Sequence, residues 1–362
     1  MKIGILSMQR VPNNGSFLQA YGLKRILENL GHDVVFIDYR EGKPVVPYSE
    51  RQRIRYHILE IPFIKHLNDW LKYRVLGRKL FDYKYRLSYL KQLEIGYTKK
   101  YDTAVDVAII GSDEVFNCLQ SGLNVGFSPM LFGQGINAKR IISYAASFGY
   151  TDYEKLKKYG VAEKVGEYLK SFSAISVRDN NSKDIVMKLT GKTPQLNLDP
   201  VLISDFDVPE IEISYKDYVV LYTYKSREYS DADKSAIQEF CKQNNKKLVC
   251  IWGSQKWVNN KIETSPLELL AYIKGADFII TDTFHGTVFS VKYNKPFATL
   301  IRENNKQKIG DLLHRLKKEE RRISSFEDLQ SVYEQPIDYA ITNSIIMNEK
   351  EHTLTYLREN LQ

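Results

Sequence analysis

Only three cysteines (Cys118, Cys241 and Cys250) occur in 362 residues, and no two stand in a CxxC spacing. Such a set excludes a disulfide framework and a cysteine-based zinc site, and it fits a reducing compartment. No stretch approaches the roughly eighteen apolar residues that cross a bilayer. The amino-terminal MKIGILSMQR passes straight into a strand pattern, without the apolar core and small-residue cleavage site of a signal peptide. A cytoplasmic location is therefore expected. GxGxxG and GxxxxGK(S/T) are both missing, which removes the usual nucleotide fingerprints. There is no short repeat and no low-complexity tract.

What remains is a globular composition, 43% hydrophobic and 27% charged, with a net charge of +8. That excess favours anionic ligands without indicating nucleic acid, for which the aromatics are too scattered. The length suits two domains. KIGILS (2–7), a helix from near Ser16 to Leu30 with Gly31 as its C-cap, and DVVFID (33–38) make a βαβ unit and so imply parallel strands. Strands follow at 105–111, 140–147, 174–179 and 196–202. After a polar connector at 204–214 a second series begins. It has strands at 218–224, 247–252, 276–281 and 295–300, and helices at 230–244, 266–274 and 285–293. The expected fold class is α/β, with two Rossmann-like lobes facing across a cleft. An N-terminal lobe spans 1–205, with a helical basic insertion at about 45–100. A C-terminal lobe spans 206–335, and a helical segment covers 336–362, its helix near 348–361 packing on either lobe.

In open α/β sheets ligands lie beyond the carboxyl ends of the strands, where helix N-termini expose N–H groups. Behind the first strand stand Asn14, Gly15 and Ser16, with Ser16 as a helix cap or anion ligand. Behind VDVAIIG stand Ser112, Asp113 and Glu114; Asp113 suits either orienting a hydroxyl or capping a helix. Ser147 follows the next strand among small residues. Arg178 closes another beside Asp179, as a plain ion pair or as a fork for carboxylate or phosphate. Asp199, before Pro200, reads as a structural loop acid. The sharpest segment is TDTFHGT (281–287), which places His285 at a helix N-terminus, with Gly286 permitting close approach and Thr283 and Thr287 offering hydroxyls. The other histidines take the ordinary structural or exposed role. No metal is expected, because no second ligand stands at helical spacing from His285.

Taken in order, NNGSFLQAYGLKRIL, IIGSDEVFN, SYAASFG, ISVRD, LDPVL and TDTFHGTVFSVKYNKPF resemble the polysaccharide pyruvyl transferase family over about the first 300 residues. The resemblance implies a GT-B-like pair of lobes and transfer of pyruvate from phosphoenolpyruvate (PEP) to a sugar hydroxyl, with no cofactor beyond that co-substrate. It makes Arg178 the PEP-binding arginine and His285 the active-site histidine; Asp113, from its place behind the strand, is the second catalytic candidate, to orient or deprotonate the acceptor hydroxyl. PEP would be held by Arg178 and by the N–H groups opening the 14–16 and 283–287 turns. Many members carry Arg-Leu-His where this chain has Thr283-Phe284-His285, so a donor-contacting cation is missing at Thr283. Either another basic residue supplies it or the donor is held differently.

Between Arg51 and Leu90 ten Lys or Arg face three acids, interleaved with Phe63, Trp70 and several tyrosines. This composition fits either a solvated helical insertion or a peripheral contact with the inner face of an anionic membrane, near a lipid-linked saccharide acceptor. Two other functions share the architecture: a nucleotide-sugar glycosyltransferase, and a saccharide-binding protein without catalysis.

Overall fold

After Lys2 the first strand, β1 (Lys2–Leu6), is apolar and buried throughout, as befits a strand covered on both faces. It pairs in parallel with β2 (Asp33–Phe36) on one side and β3 (Val105–Asp113) on the other. With β4 (Ala138–Ala146), β5 (Ser176–Val177) and β6 (Gln195–Leu196) these build a six-stranded parallel sheet in the order β2-β1-β3-β4-β5-β6. A second parallel sheet, ordered β12-β11-β10-β7-β8-β9, contains β7 (Tyr218–Tyr222), β8 (Lys247–Ile251), β9 (Asn260–Ile262), β10 (Phe278–Thr281), β11 (Phe297–Leu300) and β12 (Arg322–Ile323). The computed structural model describes residues 1–46, 89–96, 98–120, 125–252, 255–302 and 305–362. The expected basic helices and their membrane contact lie, but for Tyr89 and Leu90, outside the described residues.

Strand order reverses between β1 and β3 in the first sheet and between β7 and β10 in the second. At such a reversal the flanking helices leave toward opposite faces and open a crevice at the strand ends. One crevice therefore lies at Asn13–Ser16 and Asp113, the other at Thr223–Arg227 and Asp282.

Several elements differ from their sequence-based bounds. The first helix starts at Asn14, not Ser16, because the Asn13 side chain accepts from the N–H groups of Gly15 and Ser16. The strand expected at 196–202 ends at Leu196: Asp199 then caps a short helix, Pro200–Ile203, with Pro200 in its first turn. The strand expected at 174–179 shortens to two residues. β9 and β12 have three and two residues, too few to show a period.

The lobes share one core. The helix Asn14–Asn29 buries Phe17, Leu18, Leu23 and Leu27 in a cluster that also holds Leu269, Ile273, Val288 and Phe289 of the second lobe. The carboxyl-terminal helix is longer than expected, Ala340–Asn360, and touches both lobes. Near its start Thr342 donates to the Leu316 carbonyl (2.9 Å); near its end Tyr356 donates to the Ser143 carbonyl (2.8 Å).

Candidate active site

His285 enters the interlobe space on the first turn of the helix Phe284–Lys292, which Thr283 caps by accepting the Gly286 N–H. Its ring lies against the backbone of the opposite lobe. A Cβ at Gly15 would stand 2.1 Å from His285 Nδ1, so only glycine fits beneath the imidazole. The other ring nitrogen, Nε2, is 3.6 Å from Asp199 Oδ2. The same oxygen accepts from Arg178 Nη1 at 2.7 Å, while Asp199 Oδ1 accepts the Val201 N–H at 3.0 Å. Burial alone would raise the Asp199 pKa. The neighbouring His285, the charge of Arg178 and the Val201 N–H outweigh it and hold the carboxyl below its ordinary range. Asp199 is thus the hinge of an Arg178–Asp199–His285 chain between the lobes, where the sequence suggested a loop acid.

Arg178 is held on three sides. Its guanidinium carbon stacks 4.2 Å from the Phe284 ring centre, and Nη2 stands 3.9 Å from Asp113 Oδ1. Its Nε is buried without a hydrogen-bond partner among the described residues. Asp113 ends β3 at φ 79°, a sparsely populated conformation that costs about 1–3 kcal/mol and persists where neighbours dictate it. Its Oδ2 accepts the Ser16 hydroxyl at 2.7 Å, bridging the β1/β3 crevice. Beside it, Glu114 accepts from Lys308 Nζ of the second lobe at 2.5 Å and from Asn117 Nδ2 at 2.8 Å. Burial opposes ionisation of Glu114, but Lys308 and Asn117 prevail and hold its pKa at about 2. Asn14 is buried beside the phenol of Tyr222 from the other lobe.

Other expected ligand residues face inward. Ser112 donates to Gln19 Oε1 (2.9 Å) and Ser147 to Asp179 Oδ2 (2.6 Å); both are buried, so their hydroxyls position the strand ends. Ser16 serves Asp113 and does not cap the helix. Thr283 spends its hydroxyl on the Gly286 N–H and on Thr281, while Thr287 bonds the Thr283 carbonyl and Thr299. A Cβ on Gly286 would meet Thr281 Oγ1 at 2.1 Å, so this glycine lets the turn pack and opens no approach for a ligand. The N–H groups of Gly15, Ser16 and Gly286 are likewise occupied by caps, so they are not free to hold an anion.

A second polar group was not anticipated. Asp282, wholly buried behind β10, faces Arg227 Nε at 2.5 Å and Arg302 Nε at 2.9 Å. The rule that singled out Arg178 would have found both arginines if applied to the residues behind YVVLY and FATL. The walls of the site are oppositely charged. Arg227, Arg302 and Lys308 against Asp282 line the second lobe, and Asp113, Glu114 and Asp199 against Arg178 line the first.

The family model described as polysaccharide pyruvyl transferase matches residues 13–304. Among curated proteins no match is found. Among solved structures, S. aureus MnaA with UDP superposes with TM-score 0.51 at 11% identity, covering 99% of this chain and 96% of that one. The rhamnosyltransferase SpnG with spinosyn aglycone gives 0.47 at 11% identity over the whole of both chains. The UDP-GlcNAc 2-epimerase of Methanocaldococcus jannaschii gives 0.43 at 12% identity, covering 98% of this chain and all of that one. The first of these agrees with a two-lobed, GT-B-like α/β fold.

Proposed function

Because the chain belongs to the polysaccharide pyruvyl transferase family, we propose that it moves the pyruvyl group of phosphoenolpyruvate onto two hydroxyls of one sugar, as a ketal. The observation that carries this reading is the meeting of Arg178 and His285, one from each lobe, on the same oxygen of Asp199. One sugar oxygen bonds to C2 of the donor as C3 gains a proton and becomes a methyl group. Phosphate then leaves C2 with its bridging oxygen, and a second hydroxyl oxygen bonds to C2. Of the two hydroxyl protons lost, one is balanced at C3 and the other goes out with phosphate.

His285 is the proton carrier: its Nδ1 side is seated against Gly15, and its Nε2, 3.6 Å from Asp199 Oδ2, has no hydrogen-bond partner among the described residues. Asp113 takes the acceptor hydroxyl, since the acid-rich wall of the first lobe suits a neutral polyol better than a trianion. Arg178 supplies fixed positive charge between the two substrates. The acceptor belongs to a cell-surface polysaccharide or its lipid-linked precursor, and the 51–90 segment brings the enzyme to the inner membrane face. Liposome flotation against a charge-reversed segment tests that last point.

Incubation with PEP and a panel of free and lipid-linked saccharides should release phosphate. The acceptor should gain the mass of one pyruvate less one water. His285→Ala and Arg178→Ala should each lower the rate by about 100-fold or more. Undiminished transfer by both folded variants would refute the assignment. The rival reading, a nucleotide-sugar transferase, has the UDP in the MnaA structure behind it, and the same panel with UDP-sugars and no PEP separates the two.

A further inference from the structure

We propose that Arg227 and Arg302 form a phosphoryl-binding recess at the carboxyl ends of β7, β10 and β11, with Asp282 aiming both guanidiniums. The inference rests on the reading above only for the identity of its natural ligand, the phosphate of the donor. It names the basic residues that stand in for the cation missing at Thr283.

Asp282 is fixed on every side. Its Oδ1 accepts the Thr223 hydroxyl at 2.8 Å, its Oδ2 faces both arginine Nε atoms, and its carbonyl accepts from Asn305 Nδ2 at 2.9 Å. Asn305 in turn accepts the Arg302 N–H at 2.7 Å. Arg302 donates through Nε to Asp282 Oδ2, and Arg227 Nε meets the same oxygen. Arg302 Nη2 and Arg227 Nε are buried and have no hydrogen-bond partner among the described residues, although Arg227 Nε stands 2.5 Å from Asp282 Oδ2 as an ion pair. One carboxylate balances one guanidinium. Among the described residues the second leaves a surplus positive charge in a part-buried place, and such a charge is costly unless an anion completes it. Two guanidiniums gathered on one carboxylate oxygen bring together the fork-shaped donors that suit the oxygens of a phosphoryl group.

Position agrees with charge. The recess lies where the strand order of the second sheet reverses, and Asp282 is three residues before His285 on the same strand-to-helix turn. The positive end of the helix Phe284–Lys292 opens beside it. Tyr224, half-buried behind β7, holds its ring centre 5.8 Å from the Arg227 guanidinium carbon. Phosphate anchored on Arg227 and Arg302 would direct the three-carbon part of the donor toward His285 and Asp113.

The test is calorimetric titration of the full chain with inorganic phosphate, PEP and UDP separately, comparing wild type with Arg227→Gln, Arg302→Gln and Arg302→Lys. Binding of inorganic phosphate and of PEP should weaken about tenfold or more in each Gln variant. The Lys variant should fall between, keeping the charge and losing the fork. Unchanged binding in folded Gln variants, or no phosphate or PEP binding by wild type, overturns the proposal. If the Gln variants do not fold, phenylglyoxal labelling of wild type decides. Phosphate should shield both Arg227 and Arg302 in the mass spectrum, and a lack of shielding overturns it. Tighter binding of UDP than of PEP, lost in the same variants, upholds the recess and sinks PEP as the donor. PEP-dependent transfer at unchanged KM in the Gln variants sinks the recess and leaves the transfer reading standing.

Discussion

Gly15→Ala is the sharpest probe of how the lobes close on each other. The added Cβ would fall 2.1 Å from His285 Nδ1, 2.3 Å from Cγ and 2.7 Å from Cε1. Ordinary contact begins near 3.4 Å, so the ring must withdraw by about 1.3 Å. It cannot do so without disturbing its 3.6 Å approach to Asp199 or parting the lobes. A displacement of about 1 Å in a reacting group costs on the order of 100-fold in rate. Overpacking costs about 1–3 kcal/mol of stability, offset by up to about 1 kcal/mol from the better helix propensity of alanine. Activity should therefore collapse while stability falls modestly. A double-mutant cycle needs no substrate: Gly15→Ala, His285→Ala and the pair, each followed by denaturant unfolding. Removing the imidazole should make the alanine harmless, with a coupling of about 1–3 kcal/mol. Strict additivity of the two substitutions would refute the contact and the closed arrangement built on it.

Asp199→Asn should strip the counter-charge from Arg178 and the neighbouring carboxylate from His285. Breaking a buried pair of this kind costs about 3–5 kcal/mol, readable as a lower denaturant midpoint. Because the Asp199 pKa is depressed on folding, its contribution is present above the unfolded carboxylate pKa and fades as pH falls through the folded value. The variant should lack that share of the acid limb. Glu114, held at about 2 from an ordinary 4.5, behaves the same way. Its ionised form, held by Lys308, Asn117 and the charge of Arg178 against burial, contributes about 3 kcal/mol above pH 4.5, which is lost between there and pH 2. Glu114→Gln should flatten that loss in an acid-unfolding series and speed amide exchange along the interlobe surface. Lys292 runs the other way: burial lowers its pKa to about 8, although the Leu202 and Ser204 carbonyls accept its protons. The unfolded chain then binds more protons between pH 8 and 10, so stability should rise with pH there, and Lys292→Met should abolish the rise.

Most of the scaffold was legible because parallel strands buried on both faces spell continuous apolar runs. FIIT and FATL, each followed by a capped helix or loop, are examples. Legibility failed where an element was too short for a period, as in β9 and β12, or where a cap displaced a boundary, as Asn13 did for Ser16. Among the candidate residues, Arg178, Asp113 and His285 were visible from their places behind strands. Asp199 looked like a loop acid because its N-cap role is local, whereas its partners are 21 and 86 residues away.

The chain's own order of residues determined the two series of parallel strands and the side chains waiting at the strand ends, since periodicity and caps are local properties. Only the tertiary structure decided which of those ends meet. The shared core along the helix Asn14–Asn29 brings Gly15 under His285, sets Arg178 on Phe284 and joins Glu114 to Lys308. Docking two lobes depends on complementary surfaces far apart in sequence, and no local pattern encodes which charged residue will find which partner.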